Sequence, residues 1–316
     1  MDRHRLSEFF KLMNWQYGKC LAVPPHCSRP PIRAHSVQNA QVLDLLASDG
    51  HVTGITRRIN SEGGPVIEFG DVGRNFATTF AGLCAEHDRA TFAPIDRELF
   101  DPGNPQHRFL VAYRATFHEL HATCEAGSKV QSAYLERVKR GLDPKDSPSP
   151  AGMVALDFMI RAYETYMYKT AFDAAYLSSD FAGIAHDVID IRTSRPTVAA
   201  CALFSQYGVD RHDGEAVRVC LNILPLTATR SVAVFAYLPA DAPLAREMLK
   251  PILLSAGEQQ KYELSRRLLN SCGNFVLAPA YFDSWSDRKR EVVREYFVRT
   301  ILEEDMTYHD PDLLLF

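Results

Sequence analysis

The sequence predicts an α+β fold in which a small amino-terminal module, residues 1–101, precedes a larger body, residues 102–316. The module is turn-rich and contains only short elements, whereas the body begins with two long helical stripes that are followed by three apolar, β-leaning runs. Because helices and strands are segregated along the body and do not alternate, long helices with an antiparallel sheet are favoured over a doubly wound parallel sheet. The stripes and runs span residues 106–139, 153–177, 198–204, 217–224 and 232–238.

Short elements joined by turns are expected in the module. After a helical candidate within residues 1–19, the prolines between Val23 and Pro31 exclude a helix. Residues 61–64, Ser-Glu-Gly-Gly, are typical of the turn of a β-hairpin. The expected elements are an extended piece, a helix, the two strands of the hairpin and a short helix, at residues 32–35, 38–48, 51–59, 65–69 and from Cys84 onward.

The elements of the body are predicted from apolar periodicity and turn composition. The stretch 143–152 is rich in proline and serine and predicts a loop between the two long helices. In the run 217–224, apolar residues alternate with polar ones, so we expect one buried face, whereas the run 232–238 is apolar on both faces, as in a central strand. Three further helices and one strand are expected at residues 244–254, 258–269, 287–303 and 275–277.

Composition and charge exclude several classes of protein. With 46% hydrophobic and 23% charged residues, the 316-residue chain is not expected to be disordered. It has neither an apolar run of about 18 residues nor a secretory signal, so we expect a cytoplasmic protein without a membrane partner. The net charge of −4 argues against coating nucleic acid by charge alone. Residues 1–60, however, carry eight basic and four acidic residues, a balance compatible with a local nucleic-acid contact.

The cysteines fall into two groups. Seven cysteines without an export signal argue against a disulfide framework, so each is expected to be a buried apolar residue or a metal ligand. The first group, within apolar patterns, consists of Cys124, Cys201, Cys220 and Cys272. The second group lies beside turns and histidines, and consists of Cys20, Cys27 and Cys84.

The second group predicts a structural zinc site. Cys20 and Cys27 bracket a proline-rich turn, and Cys84 and His87 open a helix, where residues three apart project from the same face. A tetrahedral Zn²⁺ needs four such ligands, usually supplied as two pairs. A turn, a hairpin and helix-borne ligands in this order are typical of a treble-clef zinc finger. The alternative is that the thiols are simply buried beside surface histidines.

Over residues 20–94 the layout resembles the HNH (ββα-metal) nuclease module. The matching segments are Ile32-Arg33-Ala34-His35-Ser36 after the first cysteine pair and Leu83-Cys84-Ala85-Glu86-His87-Asp88 at the start of the helix. The resemblance implies that His87 is the fourth zinc ligand, that His35 is the general base, and that Asp88 takes the place of the family's terminal histidine and assists a catalytic Mg²⁺ or Mn²⁺. The chain departs from the family at its central asparagine, because Phe80 and Ala81 stand a few residues before Cys84, and Asn75 lies farther upstream.

Two functions follow as expectations. The first is a zinc-containing, HNH-like protein that binds or cleaves DNA or RNA as a metal-dependent endonuclease. The layout, together with the later segment Asn-Ser-Cys-Gly-Asn-Phe-Val-Leu-Ala-Pro, is also similar to bacterial proteins encoded among phage-defence genes, which implies antiviral defence. The second is a non-enzymatic interaction or sensor protein, in which the zinc finger is a scaffold, His35 hydrogen-bonds the hairpin, and the body binds a protein partner or a small signal.

The second long helix offers a further alternative. Tyr163, Tyr166 and Tyr168 with Arg161 and Lys169 are suited to stacking against bases, or they belong to a tyrosine-rich helix that packs in the core. The sequence pattern favours the core helix.

Overall fold

The computed structural model describes residues 17–23, 27–59, 65–147, 149–206, 216–302 and 307–316. The helical candidate at residues 1–19 therefore lies almost entirely outside the described residues, as does the hairpin turn predicted at residues 61–64. Part of the proline-rich turn, residues 24–26, also lies outside them.

The fold is α+β, as the sequence predicts. Its strands are β1 (Ala34–His35), β2 (His51–Ile59), β3 (Pro65–Gly73), β4 (Thr79–Phe80), β5 (Ala185–Arg192), β6 (Val198–Gln206), β7 (Val217–Thr227), β8 (Arg230–Tyr237) and β9 (Phe275–Leu277). Among the described residues, the α-helices of five residues or more are α1 (Ala85–Arg97), α2 (Pro105–Lys139), α3 (Pro150–Ser178), α4 (Ala242–Leu253), α5 (Gly257–Ser271), α6 (Pro279–Asp283) and α7 (Asp287–Leu302). A short helical segment, Asn39–Leu43 continued by Asp44–Leu46, lies between β1 and β2.

Seven strands form one antiparallel sheet in the order β3-β2-β9-β6-β7-β8-β5. The short strand β9 joins its two parts, because Val276 lies opposite Gly54 of the hairpin and opposite Ala199 of β6. Strands from both sides of residue 101, the predicted boundary between module and body, thus share a single sheet.

Helices cover both faces of this sheet. On one face, α2 and α3 pack their aromatic side chains, such as Phe109 and Phe172, against β6, β7 and β8. On the other face of the sheet, α4, α5 and α7 pack their apolar sides against the strands. β8 is buried on both faces, as predicted. The expectation that β7 buries only one face is wrong, because Cys220 and Asn222, on the face predicted to be exposed, are covered by α2 and its neighbours.

The second long helix begins earlier than its apolar pattern indicates. α3 starts at Pro150, within the predicted loop, because the Ser149 side chain accepts a hydrogen bond from the Gly152 N–H at 3.1 Å and proline suits the first helical position. Among the described residues, no helix combines the length and the apolar character that crossing a bilayer requires.

A second, two-stranded sheet positions the candidate site. β1 and β4 are antiparallel, with Ala34 opposite Phe80 and His35 opposite Thr79. α1 begins five residues after β4. The chain thus forms a β–β–α unit in which the helical segment and the β2–β3 hairpin are inserted between the two short strands.

Candidate metal centre

The four predicted zinc ligands lie together. One ligand atom from each of Cys20, Cys27, Cys84 and His87 lies within 4.8 Å of all the others. The Cys27 and Cys84 sulfurs are 3.8 Å apart. The Nδ1 atom of His87 is 3.5 Å from the Cys20 sulfur and 3.3 Å from the Cys84 sulfur.

These distances are close to the edges of a zinc coordination tetrahedron. With Zn–S bonds of about 2.3 Å and Zn–N bonds of about 2.0–2.1 Å, a tetrahedral ion separates two sulfurs by about 3.8 Å and a sulfur from a nitrogen by about 3.5 Å. Three thiols and one imidazole are also donors that bind Zn²⁺ in preference to harder cations such as Mg²⁺. The cluster can therefore hold a metal such as zinc.

The backbone brings the two halves of the cluster together. The Leu21 N–H donates to the Gly82 carbonyl at 2.8 Å, and the Ile32 N–H donates to the Leu83 carbonyl at 2.8 Å. These two bonds clamp the first loop against the segment that leads into α1. Cys84 is the N-cap of α1, so one helical turn carries the His87 ring to the same side.

The pKa values of the two thiols nearest to His87, those of Cys20 and Cys84, are shifted in opposite directions. Burial raises the pKa of Cys20. Burial also acts to raise the pKa of Cys84, but hydrogen bonds from the His87 backbone N–H and from the neighbouring thiols outweigh it, so that this pKa is lowered. The Arg29 guanidinium acts in the same direction on Cys84, while it forms an ion pair with Glu86. Of these two thiols, Cys84 is therefore the one that loses its proton more readily.

His35, the predicted general base, is held from one side. Its Nε2 atom is 3.0 Å from the carbonyl oxygen of Arg74, to which it donates when Nε2 carries the proton. The Nδ1 atom is then the unprotonated nitrogen and is available to accept a proton. Burial, reinforced by the positive charge of Arg114, lowers the pKa of His35 below its ordinary value. A neutral imidazole at neutral pH is the form that general-base chemistry needs.

Asp88 shares its electrostatic surroundings with His35. Burial raises the pKa of the Asp88 carboxyl, Arg114 opposes this effect, and Asp96 adds to it. Arg114 and Asp96 are the same two charged groups that act on His35. Among the described residues, the Cys₃His cluster is the one group of three or more such ligands gathered closely enough for a metal. A cation at Asp88 would thus take its remaining ligands from water and substrate, as Mg²⁺ commonly does.

Sequence reasoning missed the arginine that links these residues. Arg114 is only 3% exposed, and its Nη2 atom donates to both carboxylate oxygens of Asp96 at 2.8 and 2.9 Å. Its guanidinium also lies 4.2 Å from the centre of the Phe92 ring. The sequence does show an arginine within the apolar stripe of α2. The periodicity alone, however, does not show that α1 supplies the acidic partner of this arginine.

Asn75, the asparagine upstream of the place where the resemblance requires one, lies at the surface. Asn75 is exposed, follows Arg74 in the turn before β4, and accepts a hydrogen bond from the Asn39 side chain at 2.9 Å. A second amide, that of Asn274, donates to Ser36 Oγ at 2.8 Å and to the Cys201 carbonyl at 2.9 Å. The residue that follows His35 is thus tied to the body of the protein.

Comparison of the chain with protein-family models, with curated proteins and with solved structures gave no match. The types of the four ligands and the distances between them are therefore the grounds for inferring a metal centre.

Proposed function

We propose that this protein binds one structural Zn²⁺ through Cys20, Cys27, Cys84 and His87, and that the β–β–α unit beside the zinc is a metal-dependent phosphodiesterase site of the HNH type acting on DNA or RNA. The observation that carries the proposal is the convergence of these four ligands, which fixes the first turn of α1 against the loop that leads into β1.

The proposed chemistry assigns one role to each residue. His35 accepts a proton at Nδ1 from a water molecule that attacks the phosphorus, and the bond from phosphorus to the leaving oxygen then breaks. A Mg²⁺ or Mn²⁺ ion bound by Asp88 and the phosphate would stabilise the charge on the leaving oxygen. Arg114 would hold the local charges in place by its ion pair with Asp96.

Side chains near His35 suit a nucleic-acid substrate. Phe76 is 63% exposed, and the guanidinium of Arg33 lies 5.5 Å from the centre of its ring. An exposed aromatic ring and an arginine side by side offer a stacking surface and a phosphate contact. Lys19 and Arg89 are exposed on the loop and helix that carry the zinc ligands and add positive charge.

Incubation with labelled DNA and RNA, single- and double-stranded, with and without Mg²⁺ or Mn²⁺, tests this proposal. We expect metal-dependent cleavage that is lost in His35→Ala and retained in His51→Ala, a matched substitution of an exposed histidine on β2. Equal loss in both variants, or cleavage that survives His35→Ala, would contradict the assignment of the base. A role in antiviral defence further predicts that cells expressing His35→Ala lose resistance to phage.

A second candidate function is a scaffold without catalysis, and the His35 hydrogen bond favours it. The bond from His35 to the Arg74 carbonyl connects β1 to the turn before β4, which is also what a purely structural histidine would do. In that case His35→Ala lowers the melting temperature and no nucleic acid is cleaved under any metal condition. The zinc centre would then serve to shape a surface for a protein partner.

A further inference from the structure

The helix α3 is apolar on two sides, although only one side packs in the core. The inner side faces α2, and there Gly127 of α2 approaches the backbone of Phe158 so closely that an added Cβ would lie 3.5 Å from its carbonyl oxygen. Thr165 and Phe172 are buried on the same side. The other side is exposed, and most of its large side chains are apolar.

The exposed apolar residues follow a heptad spacing. Steps of three and four residues alternate along the whole helix, which places these residues on one continuous stripe about 36 Å long. The stripe, here called the α3 seam, consists of Met153, Leu156, Ile160, Tyr163, Met167, Ala174 and Leu177, with the half-buried Thr170 between Met167 and Ala174. Met159 and Tyr166 widen it. A sustained repeat of 3.5 residues on an exposed surface is the pattern that packs against another helix.

The area of this surface is that of an interface. Its large apolar side chains, all those named above except Thr170 and Ala174, are between 42 and 64% exposed. Each offers about 100 Å², given that a large aromatic side chain buries about 150–250 Å² in full, so together they offer roughly 800–900 Å². This area exceeds the ~300–600 Å² of the largest apolar patch on a typical monomer and is comparable with the ~800 Å² that each partner of a stable interface buries.

The charged residues of α3 indicate which kind of molecule the seam can bind. All five charged residues of this helix are paired within the chain: Asp157 with Arg161 at 3.0 Å, Glu164 with Arg218 at 2.8 Å, and Lys169 with Asp173 at 2.6 Å. No basic excess remains for phosphate, and helices that lie on membranes are rich in lysine and arginine on their polar face. An electroneutral apolar seam is instead complementary to itself.

We infer that the α3 seam binds the α3 seam of a second copy of this chain, so that two helical hairpins form a symmetric dimer. A twofold axis brings the same patch of each copy into contact, and a self-complementary stripe is what such an axis requires. The base-stacking role for the tyrosines of this helix is disfavoured, since Tyr168 and Lys169 are buried. Tyr163 and Tyr166 are exposed and belong to the dimer interface.

Light scattering and sedimentation velocity of the full chain over a range of concentrations test this inference. We expect a mass of twice 35.5 kDa. Ile160→Glu and Tyr163→Glu should each weaken dimerisation by about 100-fold or more, because the interface would bury an unpaired carboxylate. Both positions are exposed in the monomer, so melting followed by circular dichroism at low protein concentration should show that the variants remain folded.

Leu254→Glu is the matched control, since Leu254 is 77% exposed at the end of α4, outside the seam, and this variant should remain dimeric. A wild-type chain that stays at 35.5 kDa at all concentrations would overturn the inference. So would dimers that persist in both glutamate variants. Binding of a monomeric wild type to phosphatidylcholine–phosphatidylglycerol vesicles, lost in Ile160→Glu, would replace the second copy by a lipid surface.

Discussion

The backbone N–H of Cys84 donates a hydrogen bond to the sulfur of Cys20 at 3.2 Å, across 64 residues of sequence. Cys84 thus contributes a backbone donor as well as its own thiol to the cluster. Such N–H···S bonds favour the thiolate form of the accepting cysteine, which is the form that binds a metal. The bond that closes the loop onto α1 therefore also opposes the effect of burial, which raises the pKa of Cys20.

The first prediction concerns this cluster. The wild-type chain should contain one zinc ion, and Cys84→Ser should contain much less than one and should lower the free energy of unfolding by several kcal/mol, since a structural zinc contributes folding energy directly. Zinc is measured by elemental mass spectrometry, and stability by urea unfolding with and without a chelator.

Cys124→Ser is the matched control, because Cys124 is a half-buried thiol outside the cluster. This variant should keep its zinc. A wild-type protein purified without metal, and indifferent to added zinc and chelator, would show that the thiols are simply buried.

The second prediction concerns the pH dependence of cleavage, if the proposed activity is found. A general base must be neutral, and burial together with Arg114 lowers the pKa of His35 below 6.5. The cleavage rate under limiting substrate should therefore rise with pH along an acid limb whose midpoint lies below about 6.5. Rates measured from about pH 4.5 to 8 check this, and a midpoint above 6.5 would exclude His35 as the titrating base.

The metal ligands could be predicted from the sequence because each pair is local. The spacing of Cys84 and His87 needs only one helical turn, and the prolines between Cys20 and Cys27 indicate a bend. The meeting of the two pairs was expected from chemistry, since four ligands are needed. By contrast, the Arg114–Asp96 pair joins two helices, and no local pattern reveals which carboxylate a distant arginine meets.

The strands of the sheet also differ in how well the local sequence pattern predicts them. The strands β6, β7 and β8 were evident as apolar runs, but β5 was missed because only Ile189 and Ile191 point inward from it and much of the rest is exposed. Its pairing with β8 places it at an edge, where apolar content is low. The sequence also does not show that β9 pairs with both β2 and β6, because three apolar residues do not specify which strands lie beside them.

The third prediction concerns a buried ion pair within α3, on the side of the helix that packs against α2. Lys169 donates to Asp173 at 2.6 Å, and the Tyr113 hydroxyl donates to the same carboxylate at 2.6 Å. Burial lowers the pKa of Lys169, while Asp173 supports its charged form. Lys169→Met should lower the free energy of unfolding by about 3–5 kcal/mol, because it leaves the Asp173 carboxylate buried without a cation.

The double variant Lys169→Met/Asp173→Leu distinguishes this cause from a simple loss of packing. Removing both charges abolishes the unpaired carboxylate, so the double variant should be more stable than Lys169→Met alone. Urea unfolding of the wild type, both single variants and the double variant closes the cycle. Additive losses would mean that the two side chains do not interact.

The fourth prediction concerns His186, at the start of β5. Burial, reinforced by Arg108, lowers its pKa from 6.5 to about 4. The unfolded chain therefore binds a proton between these values while the folded chain does not, so the stabilising contribution is complete above about pH 6.5 and is lost as the pH falls toward 4. The difference corresponds to roughly 3 kcal/mol.

His186→Gln should remove this dependence while keeping a polar side chain of similar size. Free energies of unfolding measured from about pH 7 to about pH 4.5 should fall more steeply for the wild type than for the variant, because only the wild type must take up this proton on unfolding. His51→Gln, at an exposed position on β2, is the control and should follow the wild-type curve. The difference between the two curves removes the contributions of the carboxylates and the other histidines to the free energy of unfolding, because these groups titrate in both proteins. Parallel curves for wild type and His186→Gln would show that His186 is solvated in the folded state, and that the start of β5 is more open than the lowered pKa of His186 indicates.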